Sequence, residues 1–459
     1  TKFNIIHSNI VTEAELKAFF YRNIILGPEL FDGVVIVKDE LIVDVVKKLP
    51  TDFDGVVYDL GKHVLAPGIV DTHVHINEPG RTEWEGFLTA TSAAAAGGIT
   101  TVMDMPLNCL PVTTTKEALE IKVKEVTGKL FVNVGFWGGV IPTTISCLDE
   151  LLKAGVFGVK SFLIDSGIKE FPEMKEEDLN NAMPIIAVHD CPYLIHAEID
   201  DANVDGKNIT NVYQTFLDSR PRSFENNAIE LMINLSIKNE CRVHIVHLSS
   251  SDALPALKKA KKENSYISVE TCPHYLLLES EKIPDGNTLF KCCPPIREKE
   301  NKEKLWEGLK EGVIDFIVSD HSPCTPQLKC MSEGDLGKAW GGISSLQFGI
   351  SLIWTEMKAR GMSISDLFYF MSEKTSQFIG LNHSHGSIKA GYRADFVVFD
   401  PNEEYIISKN DILHKHKETP YEGRKVFGKV KQTILAGKII FKGGELIGPP
   451  NGRPLFKEN

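Results

Sequence analysis

The amino-acid sequence predicts an α/β protein: a (β/α)₈ barrel with a small β-sandwich domain formed from the two ends of the chain. Through the middle of the 459 residues, apolar β-rich runs alternate with helix-like segments. Each of these runs is almost continuously apolar, as a parallel sheet buried on both faces requires. Both ends carry short strands separated by turns, with little helical periodicity. The alternative is an open doubly wound sheet, but no G-x-G-x-x-G motif follows the first strand to support dinucleotide binding.

The terminal strands set the predicted domain division. We expect residues 1–66 to form the N-terminal part of the sandwich, 67–387 the barrel, and 388–459 the C-terminal part of the sandwich and a tail. The strands that support this division are 22–26, 33–46, 56–60, 394–400, 404–408 and 430–440.

The middle of the chain supplies the barrel strands in series. Helix-like segments lie between most of them, for example at 84–98, 115–129, 225–239 and 301–312. In such a barrel the active site is built at the C-terminal ends of the strands, so polar residues there are the first candidates for chemistry. The predicted strands are 64–76, 99–105, 130–136, 155–163, 193–198, 241–249, 267–276 and 315–323.

Composition excludes several classes of function. The formal net charge of −12 argues against nucleic acid as a partner, because phosphate binding needs a basic face. No apolar run reaches membrane-spanning length, and residues 1–20 do not resemble a secretory signal. The nine cysteines include no CxxC spacing, so we expect reduced thiols in an intracellular compartment. The organelle stays open, because neither end of the chain carries a recognisable targeting signal.

Histidines occur where the predicted strands end. In 71-DTHVHINEPG-80, His73 and His75 are two residues apart, so they share one face of a strand and can reach the same cation. His196 and His247 end later strands. His244 is three residues from His247 and faces the other way, so we expect it to be structural.

Asp320 adds a carboxylate at the mouth of the eighth predicted strand, in 319-SDHSP-323. A carboxylate there can bind a metal and accept a proton from its water. Taken alone, each of these residues could be a cap, a turn residue or a hydrogen-bonded core residue. Their expected convergence on one rim of the barrel predicts a metal site.

Lys160, in 158-GVKSFL-163, is expected at the same rim. An unpaired buried ammonium is costly, so three alternatives remain open. Lys160 could pair with a carboxylate, it could be a neutral amine, or carbon dioxide could have converted it to an anionic carbamate able to bridge two metals.

These motifs resemble the cyclic amidohydrolases of the amidohydrolase superfamily, which include dihydroorotases, dihydropyrimidinases or hydantoinases, and allantoinases. The resemblance runs essentially end to end. The segments that carry it, besides Lys160, are 67-PGIVDTHVH-75, 196-HAE-198, 244-HIVHLSS-250, 272-CPHYL-276, 294-PPIR-297, 319-SDHSP-323 and 388-IKAGYRADFVVFD-400.

Within this family the chain is most similar to the allantoinases. Asn77 stands where dihydroorotases have an Arg that reads a substrate carboxylate, and Phe157 stands near where dihydropyrimidinases have a Tyr. The alternatives are a hydantoinase or dihydropyrimidinase acting on related cyclic amides, and a non-catalytic dihydropyrimidinase-like scaffold. All six residues that match the family's metal ligands are present, which argues against the scaffold. The segments similar to allantoinases are 77-NEPGRTEWEGF-87, 105-MPLNCLP-111, 165-DSGIKEFP-172 and 339-AWGGISSLQ-347.

The resemblance implies a metal-dependent hydrolysis of allantoin to allantoate. It implies two divalent metal ions, with zinc the first choice and iron, manganese and cobalt also open. Asp320 would act as general base and then general acid. The resemblance also implies a homo-oligomer, with a tetramer as the expected form. The implied ligands are His73 and His75 for the first metal, His196 and His247 for the second, Lys160 as a bridging carbamate, and Asp320 on the first metal.

Substrate contacts are the least constrained part of the prediction. Allantoin is a neutral ureide, so its recognition needs hydrogen-bond donors and acceptors and no charged side chain that pairs with the substrate. Each candidate residue could instead form hydrogen bonds that stabilise a loop. Cys293 departs from the Ser that relatives often have, but the family's contact there is through the backbone. The candidates are Asn108, Arg81, His274, and the backbone around Cys293 and Gly342.

Overall fold

The computed structural model describes residues 15–59, 61–201, 204, 208–263 and 266–458. The predictions made for residues 1–14, including the expectation about a secretory signal, fall outside these ranges, and so does Leu60 at the end of one predicted strand. Among the described residues, no helix combines the length and apolar character that crossing a membrane requires.

Strands from both ends of the chain form one mixed sheet. The strands are β1 (Leu16–Leu26), β2 (Glu29–Lys38), β3 (Leu41–Val46), β4 (Val56–Asp59), β5 (Val64–Pro67), β15 (Phe396–Ile406), β16 (Lys425–Leu435), β17 (Lys438–Lys442) and β18 (Glu445–Leu446). Their order in the sheet is β18-β17-β16-β15-β5-β1-β2-β3, with β4 paired to β1.

This sheet curls back on itself. Leu41 in β3 forms a bridge with Arg393, just before β15, although β5, β1 and β2 separate those two strands in the sheet order. The fold encloses an apolar cluster of its own, in which the rings of Phe19 and Phe396 lie 5.9 Å apart. The prediction that the two chain ends build one β-rich unit is therefore confirmed.

The middle of the chain forms a closed parallel barrel. Its strands are β6 (Ile69–Val74), β7 (Ile99–Asp104), β8 (Asn133–Phe136) with β9 (Gly138–Gly139), β10 (Val159–Phe162), β11 (Tyr193–His196), β12 (Val243–Ile245), β13 (Ile267–Thr271) and β14 (Phe316–Ile317). Neighbours pair in parallel around the ring, and the barrel closes where Val74 bridges to His321 and the Asp71 carboxylate accepts the Ser319 N–H. The predicted fold class is confirmed.

Helices cover the outside of the barrel and connect its strands. The Thr115 hydroxyl caps one of them by accepting the Ala118 N–H, and the Ser363 hydroxyl caps another by accepting the Asp366 N–H. The helices are α1 (Phe87–Ala96), α2 (Lys116–Glu125), α3 (Leu148–Lys153), α4 (Glu176–Val188), α5 (Tyr213–Ser219), α6 (Arg222–Asn239), α7 (Leu254–Glu263), α8 (Pro273–Leu277), α9 (Lys299–Lys310), α10 (Gly349–Ala359), α11 (Ile364–Phe368) and α12 (Lys374–Phe378). Short 3₁₀ turns span Pro142–Cys147, Ser251–Ala253, Ser280–Lys282, Thr288–Phe290, Leu346–Phe348 and Lys409–Asp411, and a π-helical turn spans Tyr369–Glu373.

Two details differ from the sequence prediction. The eighth strand was predicted over 315–323 but covers only Phe316–Ile317, because the backbone soon leaves the extended region and Asp320 has φ +43°. The C-terminal tail adds a strand to the barrel sheet: β19 (Pro454–Leu455) pairs in parallel with β8. The tail therefore contacts the barrel as well as the sandwich.

Candidate metal centre

The six predicted ligand residues converge at one end of the barrel. Four of them lie at or just beyond the C-terminal end of a barrel strand, where parallel strands bring their last residues together, and the other two lie within a strand. His73 and Lys160 lie within β6 and β10, His196 is the last residue of β11, His75 follows β6, His247 follows β12, and Asp320 follows β14.

His73, His75 and Asp320 form the tighter half of the cluster. Oδ1 of Asp320 lies 2.9 Å from Nε2 of His73 and 3.4 Å from Nε2 of His75. The three side chains are buried, and their ligand atoms lie within 4.8 Å of one another. Two imidazoles and a carboxylate directed at one point are a donor set that suits a divalent transition metal.

His196 and His247 form the other half. Their ring centroids are 4.6 Å apart, and the ring of His247 lies 5.5 Å from that of His73, so the two halves are adjacent. His196 stacks on Phe162 with a centroid distance of 4.3 Å. Nδ1 of His247 is buried and has no hydrogen-bond partner among the described residues. An orphaned ring nitrogen of this kind is a free ligand position.

Lys160 lies between the two halves. Its Nζ is 3.4 Å from Nε2 of His73 and 5.3 Å from the centroid of the Phe162 ring. Burial lowers the pKa of Lys160 to about 8, although the carboxylates of Asp320 and Glu270 oppose this shift. Among the described residues no carboxylate forms an ion pair with this amine, so the first of the three alternatives for Lys160 is not the arrangement observed.

Two buried glutamates orient the histidines, and sequence reasoning missed both. Nδ1 of His73 donates to Oε2 of Glu270 at 2.7 Å, and Nε2 of His196 donates to Oε1 of Glu198 at 2.7 Å. A carboxylate on the far nitrogen of a ligating histidine selects its tautomer and increases its basicity. Glu198 could have been recognised two residues after His196, whereas Glu270 lies within β13 and has no predicted metal ligand near it in the sequence.

His244 is outside the cluster but supports it. Its Nε2 donates to Oε1 of Glu270 at 2.8 Å, and its Nδ1 lies 2.7 Å from Oγ of Ser268. Glu270 thus bridges His244 and His73 within the buried barrel.

The charges of the cluster follow from burial and from the carboxylates. Burial lowers the pKa of His75 to about 3, and it lowers the pKa of His247 well below its ordinary value. Burial would also lower the pKa of His73, but Asp320 and Glu270 outweigh it and raise the pKa to about 9. Burial disfavours the charged form of Asp320, yet the neighbouring His73 holds its pKa well below the usual range. His75 and His247 are therefore neutral and Asp320 is ionised, which are the forms that bind a cation, whereas His73 would release its proton when a cation binds. With that one proton released, the residues present fit a pair of divalent ions.

Two of the candidate ligands have a strained backbone. His247 has φ +38° and Asp320 has φ +43°, in the left-handed region that non-glycine residues rarely adopt. Such conformations cost about 1–3 kcal/mol each and cluster at functional sites. The strain therefore falls at two residues of the candidate cluster.

A cavity of about 620 Å³ opens onto the cluster. Three of the predicted substrate contacts, Asn108, Cys293 and Gly342, line it. Oδ1 of Asn108 is buried and has no hydrogen-bond partner among the described residues, so it can accept from a bound molecule. The cluster residues that line the cavity are His75, Lys160, His196, His247 and Asp320.

Arg81 and His274 are not among the residues that line this cavity. The guanidinium of Arg81 donates to the carbonyl of Asn108 at 2.9 Å and lies 3.5 Å from the carboxylate of Glu170, so it supports the loop that carries Asn108. His274 is fully buried, and its ligand atom lies within 4.8 Å of those of Cys272 and Asp320.

Another buried group of possible ligands combines Glu85, His321 and His414. Nδ1 of His321 accepts two backbone N–H groups, from Ser345 at 3.1 Å and Leu346 at 3.3 Å. Nε2 must then carry the proton, which it donates to Glu85 at 2.8 Å. A metal on Nε2 would require an imidazolate, so this group is a hydrogen-bonded network next to Asp320 and not a metal site.

The sequence and the fold were compared with those of known proteins. The model of the amidohydrolase family matches residues 64–440. An allantoinase of Streptomyces avermitilis is 47% identical over 87% of this chain and 89% of that protein. An allantoinase of Saccharomyces cerevisiae is 46% identical over 82% of each chain. Among solved structures, the L-hydantoinase (dihydropyrimidinase) from Arthrobacter aurescens superposes with a TM-score of 0.91 at 25% identity, over 96% of this chain and 99% of that one.

Proposed function

The chain belongs to the amidohydrolase family, and we propose that it is an allantoinase, which hydrolyses the five-membered cyclic amide of allantoin to allantoate. The observation that carries this proposal is the likeness to proteins named allantoinases, at 46–47% identity over more than four fifths of each chain. The buried cluster of imidazoles, amine and carboxylate provides the chemistry that opening a cyclic amide needs.

We propose that the cluster holds two divalent ions, with zinc as the first candidate. His73, His75 and Asp320 would hold one ion, and His196 and His247 the other. A divalent ion supplies Lewis acidity: it lowers the pKa of water toward neutrality and withdraws charge from an amide carbonyl. Glu270 and Glu198 would keep the imidazoles of His73 and His196 in the ligating orientation.

Lys160 is proposed to carry a carbamate. Its buried amine lies between the two halves of the cluster and has no carboxylate ion pair among the described residues. Reaction of the neutral amine with carbon dioxide forms an N–C bond and releases one proton. The product is an anion with two oxygen atoms, which would replace an unpaired ammonium by a bridging ligand.

Asp320 would move the proton during hydrolysis. Its carboxylate is ionised and faces the cavity, so it can accept a proton from the attacking water. The same carboxyl group then donates that proton to the ring nitrogen as the amide C–N bond breaks. One group therefore serves first as base and then as acid.

The walls of the cavity would recognise the rest of the ring and the ureido group. The free Oδ1 of Asn108 is placed to accept an N–H of a neutral ureide. Main-chain groups around Cys293 and Gly342 are further candidates, since both residues line the cavity. Arg81 would contribute to substrate binding indirectly, because its guanidinium donates to the carbonyl of Asn108 and so supports the loop that carries Asn108.

The test is a comparison of substrates. Metal-loaded protein, made with bicarbonate present, is offered allantoin, hydantoin, dihydrouracil and dihydroorotate at equal concentration, and ring opening is followed for each. We expect turnover of allantoin well above that of the other three. Turnover of hydantoin or dihydrouracil without loss of allantoin would contradict the proposal and favour a hydantoinase, the activity of the structural neighbour. A protein that holds no metal and turns over none of them would favour a non-catalytic scaffold, whereas a metal-loaded protein inactive on all four would contradict the proposed substrate.

We also propose a homo-oligomer, as a tetramer, for the assembled enzyme. Light scattering coupled to size-exclusion chromatography measures the assembly mass directly. A monomeric mass at micromolar concentration would contradict this part of the proposal.

A further inference from the structure

Two lysines beside the cavity are buried without an anionic partner. Lys291 is 8% exposed and Lys329 is 6% exposed. Among the described residues, neither ammonium forms an ion pair with a carboxylate. A buried ammonium without an anion is destabilising unless its N–H groups are well paired, so the contacts that these two side chains make require an explanation.

Lys329 directs all of its donors at main-chain carbonyls. Its Nζ lies 3.0 Å from the carbonyl oxygen of Lys291, 2.9 Å from that of Trp340 and 2.5 Å from that of Gly342. An ammonium has three N–H groups, so each finds one acceptor. The bonds are charge-assisted, which makes them stronger than bonds between neutral groups.

Lys291 also binds this stretch of chain. Its Nζ donates to the carbonyls of Ala339 at 2.6 Å and Gly337 at 3.3 Å. Its own carbonyl accepts the Gly342 N–H at 2.8 Å. The two lysines thus tie residues 337–342, here called the 337–342 segment, to Lys291.

The 337–342 segment has little structure of its own. It contains no helix or strand, and it includes the adjacent glycines Gly341 and Gly342. Gly342 has φ +152°, and a Cβ at this position would meet the Ser322 carbonyl oxygen at 2.3 Å, so the close approach requires glycine. Glycines give the backbone many alternative conformations, which leaves the lysine bonds to select one.

The whole 337–342 segment lines the cavity that opens onto the metal-ligand cluster. The carbonyl to be hydrolysed must lie beside Asp320, so the remainder of the substrate meets the other lining residues. The shape of this wall therefore bears on which ring substituents fit.

We propose that Lys329, together with Lys291, is a positioning residue for substrate selection: it fixes the 337–342 segment as the wall that faces the ureido group. The proposal rests on the proposed function, which supplies the ureido group as the substituent to be recognised. Neither lysine takes part in the proton transfer, because each acts through the backbone that it holds.

The test replaces Lys329 by Met, which keeps the length of the side chain and removes the three donors. Steady-state kinetics with allantoin and with hydantoin, which lacks the ureido group, are measured on metal-loaded wild type and variant. The matched control is K17M. Lys17 is also buried, at 5% exposed, and donates to a main-chain carbonyl, that of Gly437 at 3.0 Å, but it lies in the sandwich strand β1.

We expect K329M to raise KM for allantoin at least about tenfold, which corresponds to about 1.4 kcal/mol. Metal content, kcat for allantoin and kcat/KM for hydantoin should each stay within about threefold of wild type. The reason is that K329M removes hydrogen-bond donors to the 337–342 segment and leaves the metal-ligand cluster unchanged. K17M should lower thermal stability but leave both KM values unchanged. If K329M cannot be purified folded, K329R keeps the charge and part of the donor set, and a several-fold rise in KM for allantoin alone is expected.

Three results would overturn the inference. The first is a KM for allantoin in K329M that equals the KM of K17M. If K329M does not fold, the same comparison is made with K329R. Activity toward allantoin and hydantoin could fall in parallel, which would indicate general damage to the site. Finally, a wild-type protein that opens hydantoin but not allantoin would remove the proposed function and this inference with it, and wild-type kinetics alone identify that case.

Discussion

Glu270 offers the sharpest test of how the buried carboxylates support the metal centre. Its Oε2 accepts from Nδ1 of His73 at 2.7 Å and its Oε1 accepts from Nε2 of His244 at 2.8 Å. The substitution Glu270→Gln keeps the shape and one carbonyl oxygen but removes the negative charge.

The expected loss can be worked out from these two bonds. A hydrogen bond to a charged group contributes about 1.5–3 kcal/mol, and one between neutral groups about 0.5–1.5 kcal/mol. The bond that the remaining oxygen accepts weakens by about 1 kcal/mol, and the other bond, worth about 1.5–3 kcal/mol, is lost because an amide NH2 group cannot accept. Together these changes lower the free energy of unfolding by about 3 kcal/mol. Removing the carboxylate behind a ligating histidine also lowers metal affinity by about 10–100-fold.

The two effects are separated by two measurements. Chemical denaturation of metal-free protein reports the free energy of unfolding. Metal content after dialysis against graded concentrations of a chelator reports metal affinity. The control is Glu225→Gln: Glu225 is also fully buried and accepts from the Ser249 N–H at 3.0 Å and from Arg297 at 3.1 Å, but it contacts no candidate ligand.

We expect both variants to lose stability and only E270Q to lose metal. If E270Q binds metal as tightly as wild type while its stability falls like that of E225Q, Glu270 is a core group only. The assignment of His73 as an oriented metal ligand would then lose its main structural support.

Three further outcomes are expected. D320N should retain the fold by circular dichroism while kcat falls by about 10²-fold or more, since the group that moves the proton is lost; near-normal turnover would refute that role. K160A should lose bound metal, and a short-chain carboxylic acid should restore part of the activity by replacing the carbamate, whereas full metal occupancy without rescue would exclude the carbamate. K122M should lower the free energy of unfolding by about 3–5 kcal/mol, because it leaves the Asp104 carboxylate buried without the Lys122 ammonium, which lies 2.7 Å away. A loss below about 1 kcal/mol would contradict this expectation. The double variant K122M/D104N should recover most of the lost stability.

Much of the architecture could be predicted from local patterns. Eight apolar runs in alternation with helical segments predicted the barrel, because strands buried on both faces must be apolar along their length. The place of the histidines within those runs predicted that they meet at one rim, since parallel strands in a closed barrel end on the same side. The structure brings these side chains together, although their roles as ligands stay a prediction.

The short eighth strand shows where local pattern is insufficient. Residues 315–323 read as one extended run, yet the strand ends at Ile317 and the backbone at Asp320 is left-handed. The Asp71 carboxylate and the bridge from Val74 to His321 hold this conformation. Those partners are about 250 positions away in the chain, so no window around Asp320 contains them.

The sequence by itself determined the fold class, the family and the set of residues available for chemistry, because periodicity and motif spacing are properties of short segments. Only the tertiary structure decided which side chains support that chemistry. Glu270 lies 197 positions from His73, and Lys329 acts on carbonyls that carry no side-chain signal. It also decided that Arg81 supports the Asn108 loop and does not line the cavity. Hydrogen bonds depend on distances of about 3 Å between atoms, and chain folding sets those distances.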